Sequence, residues 1–61
     1  MPTSSRTIIK ALEAAGWVEV RQKGSHKQFQ HPQKVGTVTV PHPKKTLHPK
    51  TEKSIRKAAG L

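Results

Sequence analysis

Residues 17–31, Trp17-Val18-Glu19-Val20-Arg21-Gln22-Lys23-Gly24-Ser25-His26-Lys27-Gln28-Phe29-Gln30-His31, decide the fold. Trp17 to Arg21 alternates and is rich in β formers, which predicts a strand. Gln22 to Ser25 reads as the turn, with Gly24 able to take a positive φ. His26 to His31 is the returning strand. Lys27, Phe29 and His31 share one of its faces, and His26, Gln28 and Gln30 share the other. Phe29 is expected in the core, which puts His26 on the solvent side of a regular strand.

Working outward, Pro32 to Lys34 makes the next turn. Gly36 to Val40 reads as a third strand, with Val38 and Val40 facing inward and Pro41 ending it. Upstream, Ser4 or Ser5 can cap a helix. Ile8, Ile9, Leu12 and Ala15 then form one apolar stripe, and Gly16 supplies the stop. Lys10 and Glu13 belong on the wet side. Downstream, Pro41, Pro43 and Pro49 and a lack of periodicity mark His42 to Lys50 as a loop, with Leu47 as its anchor. Thr51 to Ser54 opens a second helix. Thr51, Ile55 and Ala58 are expected to face inward, Gly60 to end the helix, and Leu61 to pack back.

Short turns between consecutive strands imply an antiparallel meander. One sheet face must be covered, and the two helices are the available cover. The expected fold is α+β, one domain over residues 1–61, with a three-stranded antiparallel sheet and two helices on one face. The α-β-β-β-α order is that of double-stranded RNA-binding domains, which read duplex RNA by shape and backbone contacts.

A 61-residue chain buries only about 60% of its unfolded surface, so it has no room for a large substrate pocket. Chemistry on it takes place on an open surface, which favours a polymeric substrate. Twelve Lys and Arg against three acids give a net charge of +9. Ten of those cations lie between Arg21 and Lys57, where Glu52 is the one acid. So one-sided a field attracts polyanions, nucleic acid first. Cysteine is absent, which excludes disulfides, thiolate zinc sites and a cysteine nucleophile. No apolar run approaches the ~20 residues of a membrane span. Met1 to Arg6 lacks the apolar core of a signal peptide. A cytoplasmic protein is expected.

His26 follows a Gly-Ser turn and has Lys23 and Lys27 close by. Imidazole moves protons near neutral pH and ammonium groups hold phosphates, so the stretch suits a ribonuclease. The plain alternative is a solvated polar residue in a basic strand. Gly24 lets the backbone approach a phosphate closely, and Ser25 is placed to orient the turn. Lys23 is the stronger phosphate clamp. Lys27 has the alternative of packing its stem beside Phe29. Lys44 and Lys45 are candidate phosphate contacts on a second wall. His42, between two prolines, reads as structural, with a second proton donor as the alternative. His31 and His48 read as surface or cap residues, and Trp17 as core rather than a base-stacking platform. Lys50, Lys53, Arg56 and Lys57 form the wet face of the second helix, open to RNA or to an acidic partner. The four histidines lack the spacing of a zinc site.

Several of these pieces together resemble the HicA family of bacterial toxins. They are Gly16-Trp17, then Arg21-Gln22-Lys23-Gly24-Ser25-His26 leading to Phe29 and His31-Pro32. Val38-Thr39-Val40-Pro41-His42-Pro43-Lys44-Lys45 follows, and Ser54-Ile55 and Ala58-Ala59-Gly60-Leu61 close the chain. The resemblance spans nearly the whole length. It implies a double-stranded-RNA-binding-like fold, an mRNA interferase that cleaves RNA, and neutralisation by a HicB-type antitoxin. It also implies that His26, at the position of the family's Gly-Ser-His histidine, is catalytic. Leu47-His48-Pro49-Lys50-Thr51 departs from the Leu-Pro-x-Gly-Thr pattern common in relatives, which puts the start of the second helix in doubt.

The chemistry such a site supports is transesterification. A base takes the ribose 2′-OH proton, the oxygen attacks the adjacent phosphorus, and the 5′-oxygen leaves. His26 is the candidate base, or the acid that protonates the leaving oxygen. No acidic cluster is present to hold magnesium, so neither metal nor cofactor is expected. A non-catalytic RNA-binding module of the same fold is the main alternative. A DNA-reading helix is disfavoured, because the second helix offers only Arg56 among base-reading residues.

Overall fold

The computed structural model describes residues 3–61. Their order is α1 (Ser5–Ala14), β1 (Val18–Lys23), β2 (His26–His31), β3 (Lys34–Pro41) and α2 (Pro49–Ala59). The strands form one antiparallel sheet in the order β1-β2-β3. Both helices pack on the same face, so the α+β fold read from the sequence is the fold observed. The core gathers Ile8, Leu12, Trp17, Phe29, Val38, Val40, Leu47, Ile55 and Ala59. Among the described residues, no helix is long and apolar enough to cross a membrane.

The hairpin between β1 and β2 is tighter than the sequence suggests. β1 runs on to Lys23, leaving Gly24 and Ser25 as a two-residue turn. Gly24 has φ +59° and Ser25 keeps a negative φ, the pattern of a type II′ turn. A bulge at Val20 makes this possible. Glu19 pairs with Phe29, but Arg21 pairs with Gln28, one residue out of step. Without the bulge, Arg21 would face Lys27 across the ladder, an unfavourable like-charge pair. With it, Gln22 faces Lys27 and Lys23 faces His26.

Other boundaries shift as well. Trp17 precedes β1 and is buried, as a core residue. β3 begins at Lys34, because its register slips at Val35-Gly36 instead of starting there. α2 begins at Pro49, two residues before Thr51. His48 caps it, its Nδ1 accepting from the Lys50 N–H at 3.1 Å, and Pro49 sits where no amide donor is needed. The inward stripe of α2 is Ile55 and Ala59; Ala58 is exposed. Leu61 keeps a partly exposed side chain, while its N–H folds back onto the Arg56 carbonyl at 2.8 Å.

Candidate active site and nucleic-acid interface

Residues paired across an antiparallel ladder point to the same side of the sheet. Phe29 and Val38 define the covered side. The opposite side therefore carries His26 with its partners Lys23 and Pro41, then Gln28 with Arg21 and Thr39, then Gln30 with Thr37. This face has no helix over it. His26 stands at its hairpin end, exposed, with Lys23 directly across the strand. The solvent-side placement expected of His26 is the one observed.

Lys27 lies on the other side. Its Nζ is 2.8 Å from Glu19 Oε1, and its side chain is only 18% exposed. Its stem is packed and its charge is answered by a carboxylate. Lys23 makes no ion pair among the described residues, so the stronger phosphate clamp of the sequence reading is also the freer cation.

Lys44 and Lys45 follow His42 and Pro43 along the loop after β3. Arg6, His42, Lys44 and Lys45 line one open groove at the start of α1. His42 also borders a second groove with Arg6, Lys10, Glu13 and Lys27. Neither groove is lined by His26, so the structure brings the lysines of the loop to the helix side and His26 to the open side.

One residue of this region was not legible as a site residue. Ser4, not Ser5, caps α1, its Oγ accepting from the Thr7 N–H. Ser5 is buried and holds the His42–Lys44 loop. Its Oγ accepts from the Lys44 N–H at 2.9 Å and lies 2.7 Å from His42 Nδ1. Its own N–H donates to the Lys44 carbonyl at 2.9 Å. The pattern Ser4-Ser5 offered two equivalent hydroxyls; only the path of the distant loop separates them.

Of the surface or cap roles read for His31, the structure shows the second, at the Ala15 end of α1. It is half-buried, with Nδ1 accepting from the Gln33 N–H and Nε2 3.0 Å from the Ala15 carbonyl. It meets Trp17 edge-on at 5.4 Å. Its bonds fasten the end of α1 to the end of β2. On α2, Lys50, Lys53 and Lys57 are exposed, whereas Arg56 bonds Glu52 at 2.9 Å. That guanidinium, and then the Thr3 hydroxyl, hold the Glu52 carboxyl below the usual glutamate range. Among the described residues, no group of three or more His, Asp or Glu is placed to hold a metal ion.

The model of the family described as HicA toxin of bacterial toxin-antitoxin matches residues 5–61. The fold is similar to a chain of a solved toxin-antitoxin complex from Streptococcus pneumoniae, at 36% identity and a TM-score of 0.83. That likeness covers 98% of this chain and 100% of the other. No curated protein matches significantly. The family match begins at the serine that anchors the loop, takes in the whole hairpin and ends at the last residue, and on that ground the chain belongs to the HicA family of toxins.

Proposed function

We propose that this toxin is an endoribonuclease that cuts mRNA with His26 as its proton-transfer residue. The observation that carries the reading is the position of His26. It stands exposed at the hairpin end of an uncovered sheet face, across the strand from Lys23, in a chain of net charge +9. An open face admits a polymer that a pocket would exclude. Lys23 supplies a cation to a phosphate there, and the Gly24-Ser25 turn lets the backbone come close to it.

The step is an internal displacement. The 2′-oxygen loses its proton, bonds to phosphorus, and forms a 2′,3′-cyclic phosphate as the bond to the 5′-oxygen breaks. The 5′-oxygen takes up a proton. His26 performs one of these two transfers, and no metal or cofactor enters. A general acid or base of this kind contributes typically 10²–10⁴-fold. Lys44 and Lys45 hold the RNA backbone on the helix side. Lys27 joins them only by exchanging Glu19 for a phosphate.

The partner in this reading is a HicB-type antitoxin. Family membership and the likeness to a chain from a toxin-antitoxin complex support it. The antitoxin restrains the toxin by covering His26 or the path to it.

The test is to induce the intact chain and its His26→Ala variant in bacteria, following growth and a reporter mRNA. The intact chain should arrest growth and cut the mRNA, and an equally folded, RNA-binding His26→Ala variant should do neither. If both behave alike and the mRNA stays whole, the protein is an RNA-binding module and not a nuclease.

A further inference from the structure

The carbonyl of Ser25 belongs to the peptide unit that carries the amide of His26. It accepts from the His42 N–H at 2.6 Å, one rung beyond the pairing of His26 with Pro41. The preceding carbonyl, of Gly24, accepts from Gln22 Nε2 at 3.1 Å. Both carbonyls of the turn are thus tied down. A two-residue tip containing glycine is otherwise among the softest parts of a small sheet.

His42 is itself held. Ser5 Oγ accepts from the Lys44 N–H, donates its single proton to the Lys44 carbonyl at 3.1 Å and lies 2.7 Å from His42 Nδ1. With that proton directed to a carbonyl that can only accept, Oγ has a lone pair left to face His42 Nδ1. Ser5 is 1% exposed, the one buried polar residue among those described. A buried hydroxyl is costly unless bonded, and Ala would fill this place in a helix more simply. The chain of contacts runs from the first turn of α1 through Ser5 and His42 to the peptide of His26.

We propose that Ser5 and His42 are positioning residues for His26. This rests on the reading of His26 as the catalytic residue. His42 does not touch the reacting atoms: its Nδ1 is committed to Ser5, and its ring lies on the helix side of the sheet. It acts through its backbone, by fixing the Ser25–His26 peptide, and Ser5 acts by fixing His42.

The experiment uses the purified full chain and a labelled RNA, at a temperature where every variant is folded by circular dichroism. Four variants are compared: Ser5→Ala, His42→Leu, His42→Asn and His26→Ala. Misplacing a catalytic group by about 1 Å costs on the order of 10²-fold. Ser5→Ala and His42→Leu should therefore lower kcat by about 10–100-fold while KM stays within about twofold. In His42→Asn, the side-chain amide takes the place of Nδ1 and can bond Ser5 Oγ through either its oxygen or its NH2, so kcat should return to within about threefold of the parent. A purely structural role would not produce that split or that rescue. Unchanged kcat, a loss confined to KM, or an Asn variant no better than Leu would each overturn the proposal. If those results appear while His26→Ala is inactive, the positioning role alone fails. If His26→Ala cleaves like the parent, the catalytic reading fails and the positioning role falls with it. Should Ser5→Ala not fold, the Leu and Asn pair at His42 decides.

Discussion

His31 closes over Gly16 so tightly that a Cβ on the glycine would lie 2.7 Å from His31 Nε2. The glycine also has φ +97°, a conformation that other residues rarely adopt. The ring cannot swing away cheaply, since both its nitrogens are bonded. Gly16→Ala should destabilise the fold by about 2–3 kcal/mol, from left-handed backbone strain plus a broken bond. Urea unfolding measures it. A change under about 0.5 kcal/mol, the range of an ordinary surface substitution, would mean that the ring yields.

Lys23 and Lys27 should differ as RNA contacts, because only Lys27 is held by a carboxylate. Lys23→Ala should weaken RNA binding and lower the slope of log affinity against log salt by about 1. Lys27→Ala should leave that slope nearly unchanged. Glu19→Gln should release Lys27 and steepen it. Filter binding across a salt series gives all three. Equal slopes for the two lysine variants would show that Glu19 does not restrain Lys27.

Glu52 gives a pH signature. Its carboxyl is held below the usual glutamate range by Arg56 and then Thr3. A depressed carboxylate stabilises the fold above its unfolded pKa, and loses that contribution as pH falls through the folded value. Glu52→Gln should lower Tm at neutral pH, and the gap should close as the solution is acidified below the usual glutamate range. A gap of constant size down to strong acid would assign the effect to shape instead of charge.

Ala58 and Ala59 should respond oppositely to a charge. Ala58 is exposed and Ala59 is fully buried. Ala58→Glu should stay within about 0.5 kcal/mol of the parent, whereas Ala59→Glu buries an unpaired carboxylate and should prevent folding. Circular dichroism of the two variants checks it, and a folded Ala59→Glu would place the helix face wrongly.

The hairpin was readable from sequence because alternation and a Gly-Ser turn are local signals. Phe29, Val38, Val40 and Leu47 were readable because each is apolar among polar neighbours. What escaped depends on distant partners. The Val20 bulge follows from which residues must not face each other across the ladder, which one strand alone does not reveal. Ala58 and Ala59 differ only in helical phase, and that phase is set by a start at Pro49 that the His48 cap decides. The depth of Ser5 depends on a loop 37 or more residues away. The placement of His26 was legible in the same way as that of Phe29, since the two occupy opposite phases of one strand.

The two register slips also bear on how copies of this chain meet. β1 and β3 are the outer strands, and each carries one: Val20 in β1, Val35-Gly36 in β3. β1 adds the Glu19–Lys27 pair on its covered side, and β3 ends in Pro41. Bulges, inward charges and proline are the devices by which sheets avoid edge-to-edge growth. The outer strands of this three-stranded sheet are thereby poorly suited to pairing edge to edge with those of another copy.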